Sequence, residues 1–174
     1  METAQKTIWK IDDTHSEIGF KVKHMMISIV KGHFEEYTSS IEASEEDFGD
    51  ASFHFSAKIE SINTKNNDRD AHLKSDDFFN AASYPEMTFM SKSFDGNKLV
   101  GDLTIRDVTK EVSLEVDLNG VAVDPYGQTK AGFEMRGDIS RKDFGLTWNA
   151  VTEAGSVVVS DKVNLIIDAQ FVKS

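Results

Sequence analysis

At 174 residues and 39% hydrophobic content, the chain is long enough for one domain (1–174) with a real core, and it shows no linker, repeat or low-complexity tract. Its formal charge of −11 argues against a nucleic-acid or anionic-membrane surface, either of which needs a basic patch. The absence of cysteine excludes disulfides and thiolate chemistry, and no apolar run is long enough for a transmembrane segment.

The N-terminal METAQKTIWK has no apolar h-region, as expected of a cytoplasmic chain or of a periplasmic one whose leader has been removed. Thr7 to Ile11 reads as a first strand and residues 12–16 as a polar turn. Ile18, Phe20, Val22 and His24 then alternate with Glu17, Gly19, Lys21 and Lys23, the pattern of a half-buried strand. Residues 25–29 are apolar without period and read as a connection over a barrel end. Val30, Gly32 and Phe34 face inward, after which the apolar parity changes to Tyr37, Ser39, Ile41 and Ala43. A one-residue shift of this kind predicts a β-bulge near Glu35-Glu36. Residues 44–50 (SEEDFGD) read as an acidic turn, and Phe53, Phe55, Ala57 and Ile59 face inward beyond it.

Residues 64–91 break the strand rhythm. Asn67 reads as an N-cap, with Asp68 and Asp70 in the first turn, and Ser75 as a second cap. Two short helical segments are predicted, near 68–74 and 76–80. They end before Tyr84-Pro85, because the residue before proline is pushed out of the α region. The adjacent Phe78 and Phe79 make this stretch an apolar plug. Strand period resumes at Met87, Phe89 and Ser91, and returns through Leu99, Gly101, Leu103 and Ile105. A tight turn at Arg106-Asp107 leads to Val112, Leu114, Val116 and Leu118, and Asp124-Pro125-Tyr126-Gly127 is a strong turn signal. Ala131, Phe133, Met135, Gly137 and Ile139 follow. Residues 140–149 and the region of Gly155 read as irregular, and Val163, Leu165, Ile167, Ala169 and Phe171 close the chain.

About eight strands joined by short turns predict an all-β fold, an antiparallel barrel or sandwich of meander topology with one short helical segment near 68–80. The inward set mixes phenylalanines 20, 34, 53, 55, 89 and 133 with Gly32, Gly101, Gly137, Ala57 and Ala131. Small residues among large ones leave room. Periodicity does not decide whether that room is a cavity or is filled.

Several pieces of the chain, in order, resemble the YceI-like family of polyisoprenoid-binding proteins, from Trp9 to Phe171. They are Trp9–Asp12 with His15-Ser16, Phe20–His24, Val30–Phe34, Arg69–Leu73 with Phe78-Phe79, Tyr84–Phe89, Gly101–Ile105, Val108–Val112 and Arg141–Gly145. The family pattern often has glycine where Arg106-Asp107 stand here. The resemblance implies a lipocalin-like extended barrel with a helix at one end, and a pocket for a long isoprenoid lipid such as a polyprenyl phosphate or an isoprenoid quinone. It also implies export to the periplasm for many members.

Such a pocket needs a dry cavity and a polar mouth. The candidate lining is Phe20, Val22, Phe34, Phe55, Phe89, Leu103, Phe133, Met135, Leu165 and Ile167, with Phe78, Phe79 and Trp148 closing one end and His24 at the mouth. Each also reads as ordinary core. Arg69, in the Arg69-Asp70-His72 cluster, either grips a pyrophosphate head or pins the helix to a strand end, and the second reading is preferred. His15, His33 and His54 lack a ligand spacing, so no metal or cofactor is expected beyond the lipid itself. No G-x-S-x-G elbow or cysteine nucleophile supports catalysis. The alternatives are an enzyme or stress-protective factor acting on a quinone-like substrate, and an oligomeric scaffold with a filled barrel. A homodimer burying the pocket mouth is compatible with the sequence.

Overall fold

The computed structural model describes residues 6–44, 48–148 and 159–174. Its strands are β1 (Thr7–Ile11), β2 (Glu17–His24), β3 (Ser28–Phe34), β4 (Tyr37–Ala43), β5 (Ser52–Lys58), β6 (Ile62–Asn63), β7 (Glu86–Phe94), β8 (Lys98–Ile105), β9 (Val108–Val123), β10 (Thr129–Ser140) and β11 (Val159–Lys173). One α-helix, α1 (Asn67–Lys74), lies between β6 and β7. The predicted irregular region around Gly155 lies outside the described residues.

All pairings are antiparallel, and they run β1-β4-β5-β7-β8-β9-β10-β11 before β11 returns to β1 through Phe171↔Ile11 and Trp9↔Lys173. The result is the expected closed eight-stranded barrel, which leaves no free edge among those strands. β2 continues the line of β1 along β11, with Leu165↔Phe20 and Ile167↔Ile18 in register. β3 pairs β2 and precedes β4 with only Glu35 and Glu36 between them. The parity shift read from the sequence is real, but in place of the predicted β-bulge the chain breaks here into two strands with different partners: Phe34 is buried on one side, and Ile41 and Ala43 on the other. The hairpin β2–β3 therefore prolongs the wall at one end of the barrel.

Three local expectations are corrected. α1 is capped by Asn66, not Asn67: the Asn66 side chain accepts from the Arg69 amide at 3.0 Å. Ser75 ends this helix instead of starting another, with its amide and hydroxyl both donating to the His72 carbonyl. Residues 76–80 then form turns in place of a second helix. The amides of Phe79, Asn80 and Ala81 bond back to Leu73, Ser75 and Lys74, and Asn80 sits at φ 50° to reverse the chain. The connection at 25–29 is also shorter than expected. The turn is confined to Met25–Ile27, and Ile29 lies within β3.

The core divides along the barrel. At one end Trp9, Ile41, Phe48, Phe53, Phe133 and Phe171 are almost wholly buried. Phe48 comes from the predicted acidic turn and plugs this end. Its ring lies 5.0 Å from those of Trp9 and Phe133, and Phe133 is edge-on to Phe53 at 6.0 Å and to Phe171 at 5.8 Å. Such tilted contacts add to the area each ring buries. A second cluster at the other end joins Ile18, Phe34, Ala57, Ile59, Ile62 and Ala81, with Phe20, Leu73 and Phe79 only partly buried against it. The small residues do not all leave room, as the sequence suggested. A Cβ on Gly32 would meet the Phe20 ring at 2.4 Å, and one on Gly101 the Phe89 ring at 2.5 Å, so these glycines seat aromatic rings.

Candidate functional site

Among the described residues, enclosed apolar space begins against the aromatic plug, whose Phe53 and Phe171 border it. An apolar chamber of about 110 Å³ lies between β1, β5, β7, β8, β10 and β11, lined among others by Ile11, Phe55, Phe89, Leu103, Met135 and Ile167. A second of about 110 Å³ is wholly apolar at its surface and is lined by Val22, Phe79, Ile105, Leu146, Val159 and Val163, among others. The two share Phe20, Phe34, Met87, Ile139 and Leu165. A third space, of about 420 Å³, lies under α1. It shares Phe20, Val22, Leu73, Phe78 and Val159 with the second and adds His24, Val30 and Trp148, with Thr64, Asp68, Arg69 and Lys23 at its polar rim. Apolar space thus runs in a line from the barrel interior to the foot of the helix, and Phe20 borders all three chambers.

Thirteen of the fourteen residues singled out from the sequence stand around this line. Phe55, Phe89, Leu103, Met135 and Ile167 border the inner chamber, and Phe20, Phe34 and Leu165 border both the inner and the middle one. Phe79 borders the middle chamber, Val22 and Phe78 the middle and outer ones, and His24 and Trp148 the outer one. Phe133 is the correction: it borders none of these spaces and is packed in the aromatic plug, 1% exposed. Inward parity was read correctly for Phe133, but parity carries no information on height along the barrel. Met87, Ile139 and Ile18 were read as inward without being singled out as lining. Leu73 and Leu146 were not found, since neither lies on a strand.

The polar side chains beside the line are mostly engaged in holding it closed. Buried Asp70 accepts from the Thr64 amide at 2.9 Å and the Thr64 hydroxyl at 2.5 Å. Arg69 donates Nε to that hydroxyl at 2.8 Å and Nη2 to the Thr64 carbonyl at 2.6 Å. The cluster pins α1 to the end of β6, the preferred of the two readings. The His72 ring stands edge-on to Trp148 at 4.6 Å and to Phe78 at 5.1 Å, while its Nε2 meets Asp77 at 2.9 Å.

Two arginines had no assigned part in the sequence. Arg141, 3% exposed, donates to four carbonyls: Ser160 at 2.9 Å, Leu146 at 2.6 Å, Trp148 at 2.8 Å and Val159 at 3.2 Å. It ties the segment carrying Leu146 and Trp148 to the start of β11, and burial pushes its guanidinium below the ordinary value. Arg106 occupies the two-residue turn between β8 and β9 at φ 56°, a conformation that favours glycine. Its Nη1 donates to the Phe78 carbonyl at 3.3 Å and its guanidinium lies 5.8 Å from the Tyr84 ring centre. An arginine in the glycine position therefore clamps the turns after α1 onto the barrel. Among the described residues no group of three or more His, Asp or Glu side chains is placed to hold a metal.

Comparison with known proteins settles the family. The sequence model of the YceI-like domain matches residues 9–171. The chain belongs to the YceI-like family. A UPF0312 protein of Staphylococcus aureus is 38% identical over 166 residues, covering 95% of this chain and 97% of its own. A YceI protein of Campylobacter jejuni superposes with a TM-score of 0.73 at 37% identity, covering 94% of this chain and 96% of that one. A polyisoprenoid-binding domain from Saccharophagus degradans has the same fold, with a TM-score of 0.71 at 14% identity, over 95% and 98% of the two chains. The YceI-like fold thus accounts for the barrel, the helix at one end and the order of the strands.

Proposed function

We propose that this YceI-like barrel binds one long apolar lipid of the isoprenoid class, a polyprenyl phosphate or an isoprenoid quinone, and carries, stores or shields it without catalysing a reaction. The observation that carries this reading is the line of apolar chambers ending at a polar rim. The family relationship supports it, as does the polyisoprenoid-binding function named for the S. degradans neighbour. Each methylene moved from water into the line contributes about 0.8 kcal/mol, from which the cost of ordering the lipid is subtracted.

The inner chambers do not take a long chain as they stand. An apolar cavity of about 150 Å³ holds benzene, so chambers of about 110 Å³ hold less than that. Phe20 borders every chamber and is only half-buried, so its ring is the gate whose rotation joins them. Arg69 is engaged with Thr64, which leaves His24 and Lys23 at the rim as the groups facing a lipid head.

Native mass spectrometry of the purified chain, followed by organic extraction, tests the reading. A one-to-one long-chain adduct released on denaturation is expected. A bare mass after incubation with polyprenyl phosphates, quinones and fatty acids overturns it in favour of a filled barrel.

A further inference from the structure

The chain carries an exposed apolar tip beside the outer chamber. Among the described residues, ten large hydrophobic side chains are exposed, and four of them fall on the β2–β3 hairpin: Met25, Met26, Ile27 at 83% and Ile29. The tip closes between His24 and Ser28, and both Met25 and Met26 are held at positive φ, 51° and 59°. Side-chain-bearing residues in that region are strained, and such strain persists where something else depends on it. Behind the tip, Lys21 and Lys31 are direct cross-strand partners, and Lys23 faces Ile29. Like charges directly opposite each other destabilise a hairpin. In a chain with 30 acidic residues, none falls between Ile18 and Phe34. No ion pair among the described residues uses Lys21, Lys23 or Lys31. The carboxylates found near them are Asp68 across the rim and, in the groove that Lys21 lines, Glu115, Asp117 and Asp138, the last paired with Lys162.

Exposed apolar side chains, positive-φ methionines and opposed lysines each cost stability, and among the described residues nothing compensates them. They share one complement, an anionic lipid bilayer. The dimensions agree. Lys23 sits three residues and Lys31 five residues from Met26 at the tip, roughly 10 and 17 Å at about 3.3 Å per residue, so Lys23 stands at headgroup level and the Lys21–Lys31 pair just outside it. An interfacial apolar element sinks about 5–10 Å past the headgroups. The chain-wide charge of −11 does not oppose this, since carboxylates farther than a Debye length of about 8 Å are screened at physiological ionic strength. We propose that the β2–β3 hairpin is a docking finger, which inserts Met25, Met26 and Ile27 into an anionic bilayer, sets Lys21, Lys23 and Lys31 against its headgroups and so presses the outer chamber to the membrane. The proposal rests on the lipid-binding reading above and says where the lipid enters and leaves.

The test is flotation of the full chain with vesicles of phosphatidylcholine alone and of phosphatidylcholine mixed with phosphatidylglycerol. The wild type floats with the mixed vesicles, and added salt releases it. Lys23→Gln with Lys31→Gln lowers partitioning about thirtyfold, near the sum expected for two lysines at a charged surface. Met25→Asn with Met26→Gly removes apolar side chains and suits both positive-φ positions. It raises the melting temperature and abolishes flotation, a pair of effects that misfolding cannot produce. A wild type that stays in solution with both vesicles, or variants that float unchanged, overturn the proposal. So does a tip variant that turns a dimer into a monomer while vesicle binding is unaltered, which assigns the tip to a second copy. Extraction of bound lipid is read separately: a chain that holds lipid but ignores vesicles loses only the finger, and one that floats but never holds lipid loses the carrier reading.

Discussion

The two ends of the barrel draw on the same strands and differ in how they are filled. β10 gives Phe133 to one end and Ile139 to the other, and β11 gives Phe171 to one and Leu165 to the other. At the plugged end a loop residue, Phe48, completes a cluster of rings at 5.0–6.0 Å, in which Trp9, Phe48 and Phe133 border no chamber and Phe53 and Phe171 form the floor of the inner one. The other end is covered by α1 and the turns after it, whose Phe78 and Phe79 border chambers without filling them. A barrel of this size cannot be both solid and receptive along its whole length. Here the plugged end supplies the stability that allows the capped end to stay loosely packed.

The sharpest way to break this comparison is to truncate one ring at each end. Phe133→Ala should cost about 3–5 kcal/mol, the range for a fully buried phenylalanine whose site cannot collapse. Phe20→Ala should cost well under half of that in the same urea titrations, because its ring is half-buried and already borders space. It should also join the chambers and raise the capacity for lipid. Equal losses from the two variants would mean that the ends are packed alike.

Next in size is Arg141→Met. It leaves four carbonyls without their donor, and hydrogen bonds to a charged group are worth about 1.5–3 kcal/mol before compensation by water. The loss should fall on the capped end, so that hydrogen exchange quickens at Leu146–Trp148 and the start of β11 while the β10 amides near Phe133 stay protected. Arg106→Gly should change global stability by less than about 1 kcal/mol, since relief at φ 56° offsets the lost contacts to Phe78 and Tyr84. Its effect belongs in the kinetics: residues 76–84 should exchange faster and bound lipid should leave sooner. Slower exchange there would show that the arginine does not clamp these turns.

Much of this was readable from the chain. Period-2 alternation placed nearly every strand, and the parity change at Glu35-Glu36 located a break that the pairing shows directly. The alternation failed where burial is set by position along the barrel. Phe133 and Phe89 have the same inward parity, yet one is packed solid and the other borders a chamber. Phe48 was hidden because an aromatic residue between Asp47 and Gly49 carries no strand signal. Arg141 was hidden because its partners are main-chain carbonyls, which sequence pattern does not reveal. Net charge is likewise an average: over the chain it speaks against an anionic surface, while the stretch from Ile18 to Phe34 carries Lys21, Lys23 and Lys31 and no acidic residue.

The smallest expected effect lies at the junction of the two ends, where the chain leaves β1 for β2. Asp12 caps the short 3-10 turn Asp13–His15 there. It accepts from the Thr14 hydroxyl at 2.6 Å, meets His15 Nδ1 at 2.9 Å and approaches Lys130 at 3.8 Å. The Thr14 hydroxyl above all, with His15, holds its carboxyl at about 2, below the ordinary 3.8. A depressed carboxyl stabilises the fold fully above the unfolded value, and that contribution is lost as pH falls from 3.8 through about 2. Because the group is near solvent, the amount is about 1 kcal/mol or less. Asp12→Asn should therefore lower the urea midpoint slightly at neutral pH and make little difference at pH 2, flattening the acid limb between those values. An acid limb as steep as that of the wild type would mean that this clasp, and with it the coupling of the plugged end to the lipid-binding end, is not formed in solution.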